Sequence, residues 1–260
     1  MLCYLNRGLI LEQAICSLIN DYFRFLRLEN TYQNFHVSVT TDHPFAQLYL
    51  NKGLNAADSF PCVVVATQEE RKPFEFDGMP PNEAYEIGIT DDDLDSILQT
   101  TRTFTDKKGA IKTKEIAGLC TIADAEAIKA VRAVIKKQGE CYGYSVRTRR
   151  QDSIGLDIWA ENVQLKNELY EQLRLYVTGS LRHELENAYP FFDIAIFDET
   201  VVGMRSNNYN FDFDVALSGA HISFDVQYCV EQVVLNTELT GITGNIITEA
   251  LNNVYSKKDE

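Results

Sequence analysis

The sequence predicts an α+β fold, with helices packed on one face of an antiparallel or mixed β-sheet and an additional helical insertion. Apolar and polar residues alternate from Ile154 to Glu161, which is the period-two pattern of a half-buried strand. A second alternation runs from Ile222 to Val230. Between the two, apolar residues recur at helical spacing, at Leu165, Leu169, Leu173 and Tyr176.

A central module extends from Cys141 to Leu185. We interpret residues 141–160 as two strands joined by a short polar turn, and the segment that follows as an amphipathic helix. Asn162 stands where this helix begins, and its side chain can accept a hydrogen bond from a free amide of the first turn. The predicted turn carries the densest basic cluster of the chain, Arg147, Arg149 and Arg150.

The residues before this module predict two kinds of structure. Residues 1–70 contain a long opening helix at 7–28 and strands at 35–40 and 60–66, and we assign them to the core domain. Residues 71–140 begin with three prolines and contain helical patches at 91–100 and 123–137, separated by a polar, basic loop at 101–114. We therefore interpret 71–140 as a helical insertion and 141–260 as the main sheet-and-helix part of the core domain.

The residues after the module predict further strands and a closing helix. Residues 192–196 alternate, 200–209 read as a long loop or hairpin end, and 211–217 alternate again before a turn at Ser218–Gly219. A short helix is expected near 246–255.

Composition narrows the class of protein. A 45% hydrophobic content supports a packed core, and a net charge of −14 argues against a protein whose main task is to grip phosphate backbones. The six cysteines form no C-x-x-C pair, so we expect them to be reduced and the chain to fold in the cytoplasm. The first residues do not resemble a secretory signal, and no apolar run is long enough for a membrane span.

Three sets of carboxylates resemble catalytic or metal-binding patterns, but the spacing of each favours a solvated surface. Asp91, Asp93 and Asp95 lack the glycine and the final glutamate of a calcium loop. The pairs Asp212/Asp214 and Asp157/Glu161 lie on the polar face of alternating strands. The four histidines have no ligand-like spacing, so we predict no catalytic residue, metal or cofactor.

The order of these segments resembles the tail-terminator and neck family of tailed bacteriophages. The similar features are the opening helix, the strands near Phe35 and Phe60, and the phrase Gly155-Leu-Asp-Ile-Trp-Ala-Glu-Asn162, which leads into a helix. A late tyrosine-containing strand, Ile222 to Val230, is also similar. The resemblance covers residues 1–70 and 141–239, while the insertion departs from the compact members of the family.

The resemblance implies a structural virion protein and not an enzyme. Such a protein forms a homo-oligomeric ring of six or twelve copies at the head-to-tail junction, contacts portal, neck or tail proteins, and bounds a channel through which DNA passes without sequence-specific binding. The alternatives are a cytosolic α+β binding or scaffold domain, and a metal-dependent hydrolase that uses the strand carboxylates. For a ring, the candidate interface residues are Arg147, Arg149, Arg150, Trp159, Asp193, Asp198 and Glu199.

Overall fold

The computed structural model describes residues 1–25, 37–42, 60–71, 82–99, 101–105, 111–115, 124–209 and 217–238. Within these ranges the chain forms a seven-stranded mixed sheet, a separate two-stranded sheet and helices, which confirms the predicted α+β class. The strands are β1 (Leu2–Arg7), β2 (Ser38–Thr40), β3 (Cys62–Arg71), β4 (Asn82–Ile89), β5 (Thr101–Thr105), β6 (Ile111–Glu115), β7 (Cys141–Ala160), β8 (Ala195–Tyr209) and β9 (Leu217–Asn236).

The helices follow the predicted positions closely. They are α1 (Leu11–Phe25), α2 (Asp91–Leu98), α3 (Ala125–Gln138), α4 (Val163–Tyr176) and α5 (Arg182–Ala188), with a π-helical turn at Val177–Leu181 and a 3₁₀ turn at Pro190–Phe192. Along the described residues, no helix combines the length and the apolar composition that a membrane crossing requires.

The chain divides into two compact units. Unit 1 comprises Met1–Leu9, Glu75–Thr148 and Val230–Glu260, and unit 2 comprises Ile10–Phe74 and Arg149–Cys229. The two longest strands, β7 and β9, contribute residues to both units. The helices and strands of the predicted insertion, from β4 to α3, all belong to unit 1.

Unit 1 builds its core from odd-numbered strand residues. The first part of β7 pairs antiparallel with β4, and β1 pairs antiparallel with the end of β9. The helices α2 and α3 contribute Leu94 and Val131, both completely buried, to the same cluster. The strand residues of this cluster are Cys3, Leu5, Ile89, Cys141, Val233 and Leu235.

Gly143 lets β7 approach β9 closely inside unit 1. A Cβ atom at position 143 would lie 2.1 Å from the backbone oxygen of Val234, far inside van der Waals contact. Because backbone atoms cannot move aside as a flexible side chain can, only glycine fits here.

The helices of unit 1 are capped by side chains at their N-termini and by a glycine at the end of α3. The Thr90 side chain accepts a hydrogen bond from the Asp93 amide, and the Asp93 carboxylate accepts from the Thr90 amide, which completes a capping box at the start of α2. Asp124 caps α3, and Gly139 ends it at a positive φ of 90°.

Unit 2 builds its core from even-numbered residues of the same two strands. Here β3 pairs antiparallel with β7 from Gln151 to Trp159, β2 pairs parallel with β3, and β8 pairs antiparallel with β9. Alternation predicts the inward residues correctly at eight positions that are completely or nearly completely buried: Ile154, Leu156, Ile158, Ala160, Ile222, Phe224, Val226 and Tyr228. Val230, predicted on the same face of β9, is half-buried.

The helices of unit 2 are tied together by aromatic and polar contacts. The helix α1 contacts β2, β3 and α5, and the rings of Tyr22 and Tyr176 stack with centroids 4.1 Å apart. The Tyr176 hydroxyl donates to Glu184 at 2.5 Å across the π-helical turn. Asn162 caps α4 through its side-chain oxygen, 2.8 Å from the Gln164 amide, as predicted.

Four local predictions are wrong. Residues 141–160 form one continuous strand and not a hairpin, because β4 pairs with β7 up to Thr148 and β3 pairs with it from Gln151. The predicted loop at 101–114 contains the β5–β6 hairpin, and the predicted loop at 200–209 lies within β8. The predicted turn at Ser218–Gly219 lies within β9. The predicted helix at 246–255 and most of the predicted strand at 211–217 lie outside the described residues.

Candidate assembly surface

The face of the unit 1 strands that points away from the core carries aromatic and aliphatic side chains. We call Leu2, Tyr4, Tyr142, Tyr144 and Val146 the tyrosine face. Their neighbours along each strand, such as Cys3 and Cys141, are buried in the core, so the alternation of a strand places these five on the opposite side. Leu2 and Tyr4 are 48% and 49% exposed, and the other three are half-buried.

The tyrosine face has a charged residue on the neighbouring strand: Glu86 of β4 is half-buried and pairs in register with Tyr144. Tyr4 pairs in register with Val234, whose side chain is buried, and Gln232 donates a hydrogen bond to Asn6 at 3.0 Å beside it. Burial and the neighbouring Tyr4 raise the pKa of the Tyr144 phenol. That phenol is therefore neutral at physiological pH, and it offers a hydrogen-bonding hydroxyl.

A buried carboxylate holds the strands of unit 1 in register on the core side. Glu231, which is 8% exposed, accepts hydrogen bonds from Ser145 at 2.5 Å and from Tyr85 at 2.8 Å. The Arg7 guanidinium lies 3.7 Å from its other oxygen. Burial lowers the pKa of Arg7, and Glu231 opposes that shift. We call these four residues the Glu231 cluster; they connect β1, β4, β7 and β9.

The corresponding polar set in unit 2 is more exposed. His221 on β9 lies 2.6 Å from Asp157 on β7 through its Nδ1 atom, and its Nε2 atom lies 2.9 Å from the Gln68 amide nitrogen. Gly155 leaves the space that Gln68 occupies, since a Cβ there would lie 2.4 Å from that nitrogen. With both ring nitrogens engaged, the imidazole is oriented as a link between three strands.

Trp159 packs within its own unit. Its side chain is half-buried against a small cluster formed by Phe60, Cys62 and Leu217. Burial raises the pKa of the Cys62 thiol to about 12, so that this cysteine is an unreactive apolar group at neutral pH. Among the described residues none of the five cysteines forms a disulfide.

The three predicted interface arginines lie in the middle of β7 and not in a turn. Arg147 belongs to unit 1, whereas Arg149 and Arg150 belong to unit 2. Arg150 is exposed and interacts with Tyr228, whose hydroxyl also donates to the buried Asp152 carboxylate at 2.8 Å. Burial and Asp152 raise the pKa of Tyr228.

The predicted acidic interface residues occupy two different settings. Asp193 is exposed and adopts a left-handed conformation with φ of 47° between the 3₁₀ turn and β8. Asp198 and Glu199 lie in the first half of β8. Their assignment to an interface with the arginines remains a prediction.

The described residues contain no group of three or more His, Cys, Asp or Glu side chains that could hold a metal ion. Asp91 and Asp95, two members of the calcium-like motif, instead both bind Arg132 of α3, the former at 2.7 Å. Asp212 and Asp214 lie outside the described residues.

Sequence reasoning missed the tyrosine face and the Glu231 cluster. The alternation of Tyr142, Tyr144 and Val146 was visible, but alternation alone does not tell which face meets the core. Arg7 and Glu231 are brought together only by the pairing of β1 with β9, for which the sequence contains no local signal.

Compared with known proteins, the chain matches no protein-family model and no curated protein.

Proposed function

We propose that this chain is a structural virion protein that forms a ring at the head-to-tail junction of a tailed bacteriophage, where it connects portal and tail around the DNA channel. Segments that carry the resemblance to neck and tail-terminator proteins lie in elements of unit 2. Gly155 to Ala160 end β7, Asn162 caps α4, and Ile222 to Cys229 lie within β9.

The tyrosine face is the observation that carries the proposal. Aromatic residues are enriched where proteins associate, and an exposed apolar face on a folded domain is a favourable surface for a partner. A second copy of this chain is the partner we assign, because a ring of identical subunits requires each copy to present a surface to the next. Burial of Leu2 and Tyr4 in that contact removes from water the apolar area that the free subunit exposes.

The charge of the chain fits a subunit beside a DNA channel. With a net charge of −14, most of the ring surface repels a duplex, so the duplex passes without tight binding. The other partners in this proposal are portal, neck or tail proteins above and below the ring.

Native mass spectrometry of the purified chain, with negative-stain micrographs, tests the proposal. We expect rings of six or twelve copies, and we expect Tyr4→Glu to leave monomers because it places a charge on the tyrosine face. Leu175→Glu is the matched control, since Leu175 is 64% exposed on α4 and lies in the other unit. Rings that persist in Tyr4→Glu refute this interface, and a chain that stays monomeric with and without virion partners refutes the ring.

A second experiment tests the virion assignment separately from the interface. Immunogold labelling of purified virions should place the chain at the junction of head and tail. Absence of the chain from virions made in its presence would favour a cytosolic binding or scaffold domain.

A further inference from the structure

The β5–β6 hairpin concentrates positive charge in an acidic chain. Residues 101–115 contain two acidic side chains, Asp106 and Glu115, against five basic ones. The chain as a whole has 38 acidic and 24 basic residues, so this segment has the opposite balance. The five basic residues are Arg102, Lys107, Lys108, Lys112 and Lys114.

The register of the hairpin sorts these residues by face. Arg102 pairs with Lys114, and Phe104 pairs with Lys112. Residues two apart on a strand share a face, so these four form one face of the ribbon, which we call the basic face. The opposite face holds the other pairs, which include the acidic residue of the two strands: Thr101 with Glu115, Thr103 with Thr113, and Thr105 with Ile111.

The register pairs two basic residues, Arg102 and Lys114, at directly opposite positions. Like charges at cross-strand positions destabilise an antiparallel pair. In the described part of the chain, β5 and β6 form a sheet with each other alone. An anionic ligand offsets such a cost because opposite charges attract, so a strand pair of this composition favours an anion.

We propose that the basic face binds the phosphate backbone of a nucleic acid without reading its sequence. Proteins that follow a nucleic-acid backbone combine basic residues with an aromatic residue on one surface. The basic residues neutralise phosphates, and the aromatic ring can stack on a base. A two-stranded ribbon is also narrow enough to enter the major groove of a duplex. The proposal concerns a surface and a partner other than the tyrosine face and a second copy, so it does not depend on the ring.

Fluorescence anisotropy with the full-length chain tests the proposal, with a labelled duplex and a labelled single strand of about 20 nucleotides as probes. At low salt, roughly 50 mM, we expect both probes to bind. Lys112→Gln with Lys114→Gln should weaken binding of the duplex about tenfold or more. It should also reduce the slope of log K against log salt by about 1.8, because each phosphate contact contributes about 0.9.

The chain contains a matched control pair. Lys136 and Lys137 are exposed in the last turn of α3, and Lys136→Gln with Lys137→Gln changes the net charge from −14 to −16, as the hairpin variant does. We expect the control to bind as the parent does. Equal losses in both variants would overturn the proposal, because attraction would then follow total charge and not the basic face. Lys112→Arg with Lys114→Arg should retain binding.

Two further results would contradict the proposal that the basic face binds nucleic acid. A parent chain that binds neither probe at low salt overturns the proposal, and so does tighter binding of polyglutamate, which would assign the basic face to an acidic protein surface. If the double glutamine variant unfolds by circular dichroism, Arg102→Gln replaces it and should lose affinity and salt slope by about half as much on a logarithmic scale. Ring assembly, read by native mass spectrometry, reports on the proposed function independently.

Discussion

The two units use the same two strands in opposite ways. In unit 1, odd-numbered residues of β7 and β9 enter the core, and even-numbered residues of β7 form most of the tyrosine face. In unit 2, even-numbered residues enter the core, and odd-numbered ones carry polar groups such as Asp157 and His221. The non-core face of unit 1 is therefore mainly aromatic and aliphatic, whereas that of unit 2 carries more polar groups.

This difference shows that the alternation of apolar and polar residues identifies a strand but does not identify which face of the strand meets the core. On β7, the large apolar Tyr142 and Tyr144 point away from the core of unit 1, whereas Cys141 and Gly143 face it. The small residues leave room for α2, α3 and the backbone of β9. An apolar residue on the outer face of a strand is then a signal for association and not for the fold of the subunit.

The largest effect is expected in the Glu231 cluster of unit 1. Glu231→Ala removes the buried carboxylate that accompanies the half-buried Arg7, and we expect it to cost about 3 to 5 kcal/mol in the free energy of unfolding. Urea denaturation measures this loss. Glu86→Ala is the charge-matched control on β4, half-buried on the outer face, and should change stability by about 0.5 kcal/mol or less. A similar loss in both variants would mean that Glu231 acts only through net charge.

Truncation of one core residue in each unit should have the next largest effect. Leu94 of unit 1 and Leu169 of unit 2 are both completely buried, so Leu94→Ala and Leu169→Ala should each cost about 2 to 5 kcal/mol. Hydrogen exchange should show the loss of amide protection in the unit that carries the change. Leu175→Ala on the exposed side of α4 is the control, with a change near zero. A parent-like melt for Leu94→Ala would show that the unit 1 core is not a structural core.

Sequence patterns correctly predicted the features that depend on residues close together along the chain. The cap at Asn162, the helix ends and the inner face of β9 from Ile222 to Tyr228 follow from short-range chemistry and period. The turn at Arg147 to Asp152 was predicted from the polar composition of that segment, but the segment lies within β7. Pairing with β4 and β3, which are distant in sequence, overrides that preference.

The same limit explains the hairpin and the Glu231 cluster. Residues 102–114 contain some β-formers, namely Phe104, Ile111 and threonines, but most of the other residues are polar or basic. The overall composition therefore favoured a loop. The cluster joins Arg7 to Glu231 across most of the chain. Neither feature can be predicted from residue spacing within one segment, because both depend on which strands become neighbours in a sheet.

The smallest expected effect is a difference between the two units in how the stability contributed by a helix cap depends on pH. Hydrogen bonds from the Thr90 amide and hydroxyl hold the pKa of Asp93 below its ordinary value of 3.8, and Arg7 adds to this. A carboxylate with a lowered pKa contributes stability that is present above the ordinary value and is lost as the pH falls through the folded value. Asn162, which caps α4, does not titrate.

Thr90→Ala and Asn162→Ala should therefore each cost about 1 kcal/mol at neutral pH. As the pH falls below the ordinary value of 3.8 and through the lower pKa of folded Asp93, the cost of Thr90→Ala should shrink, because a protonated Asp93 no longer gains from its hydrogen bonds to Thr90. The cost of Asn162→Ala should stay constant over the same range. Urea titrations of both variants and the parent at neutral pH and at a series of acidic pH values measure the two differences. A Thr90→Ala cost that does not change with pH would show that the reciprocal Asp93 contact is absent in solution, and that the two units cap their helices by the same neutral chemistry.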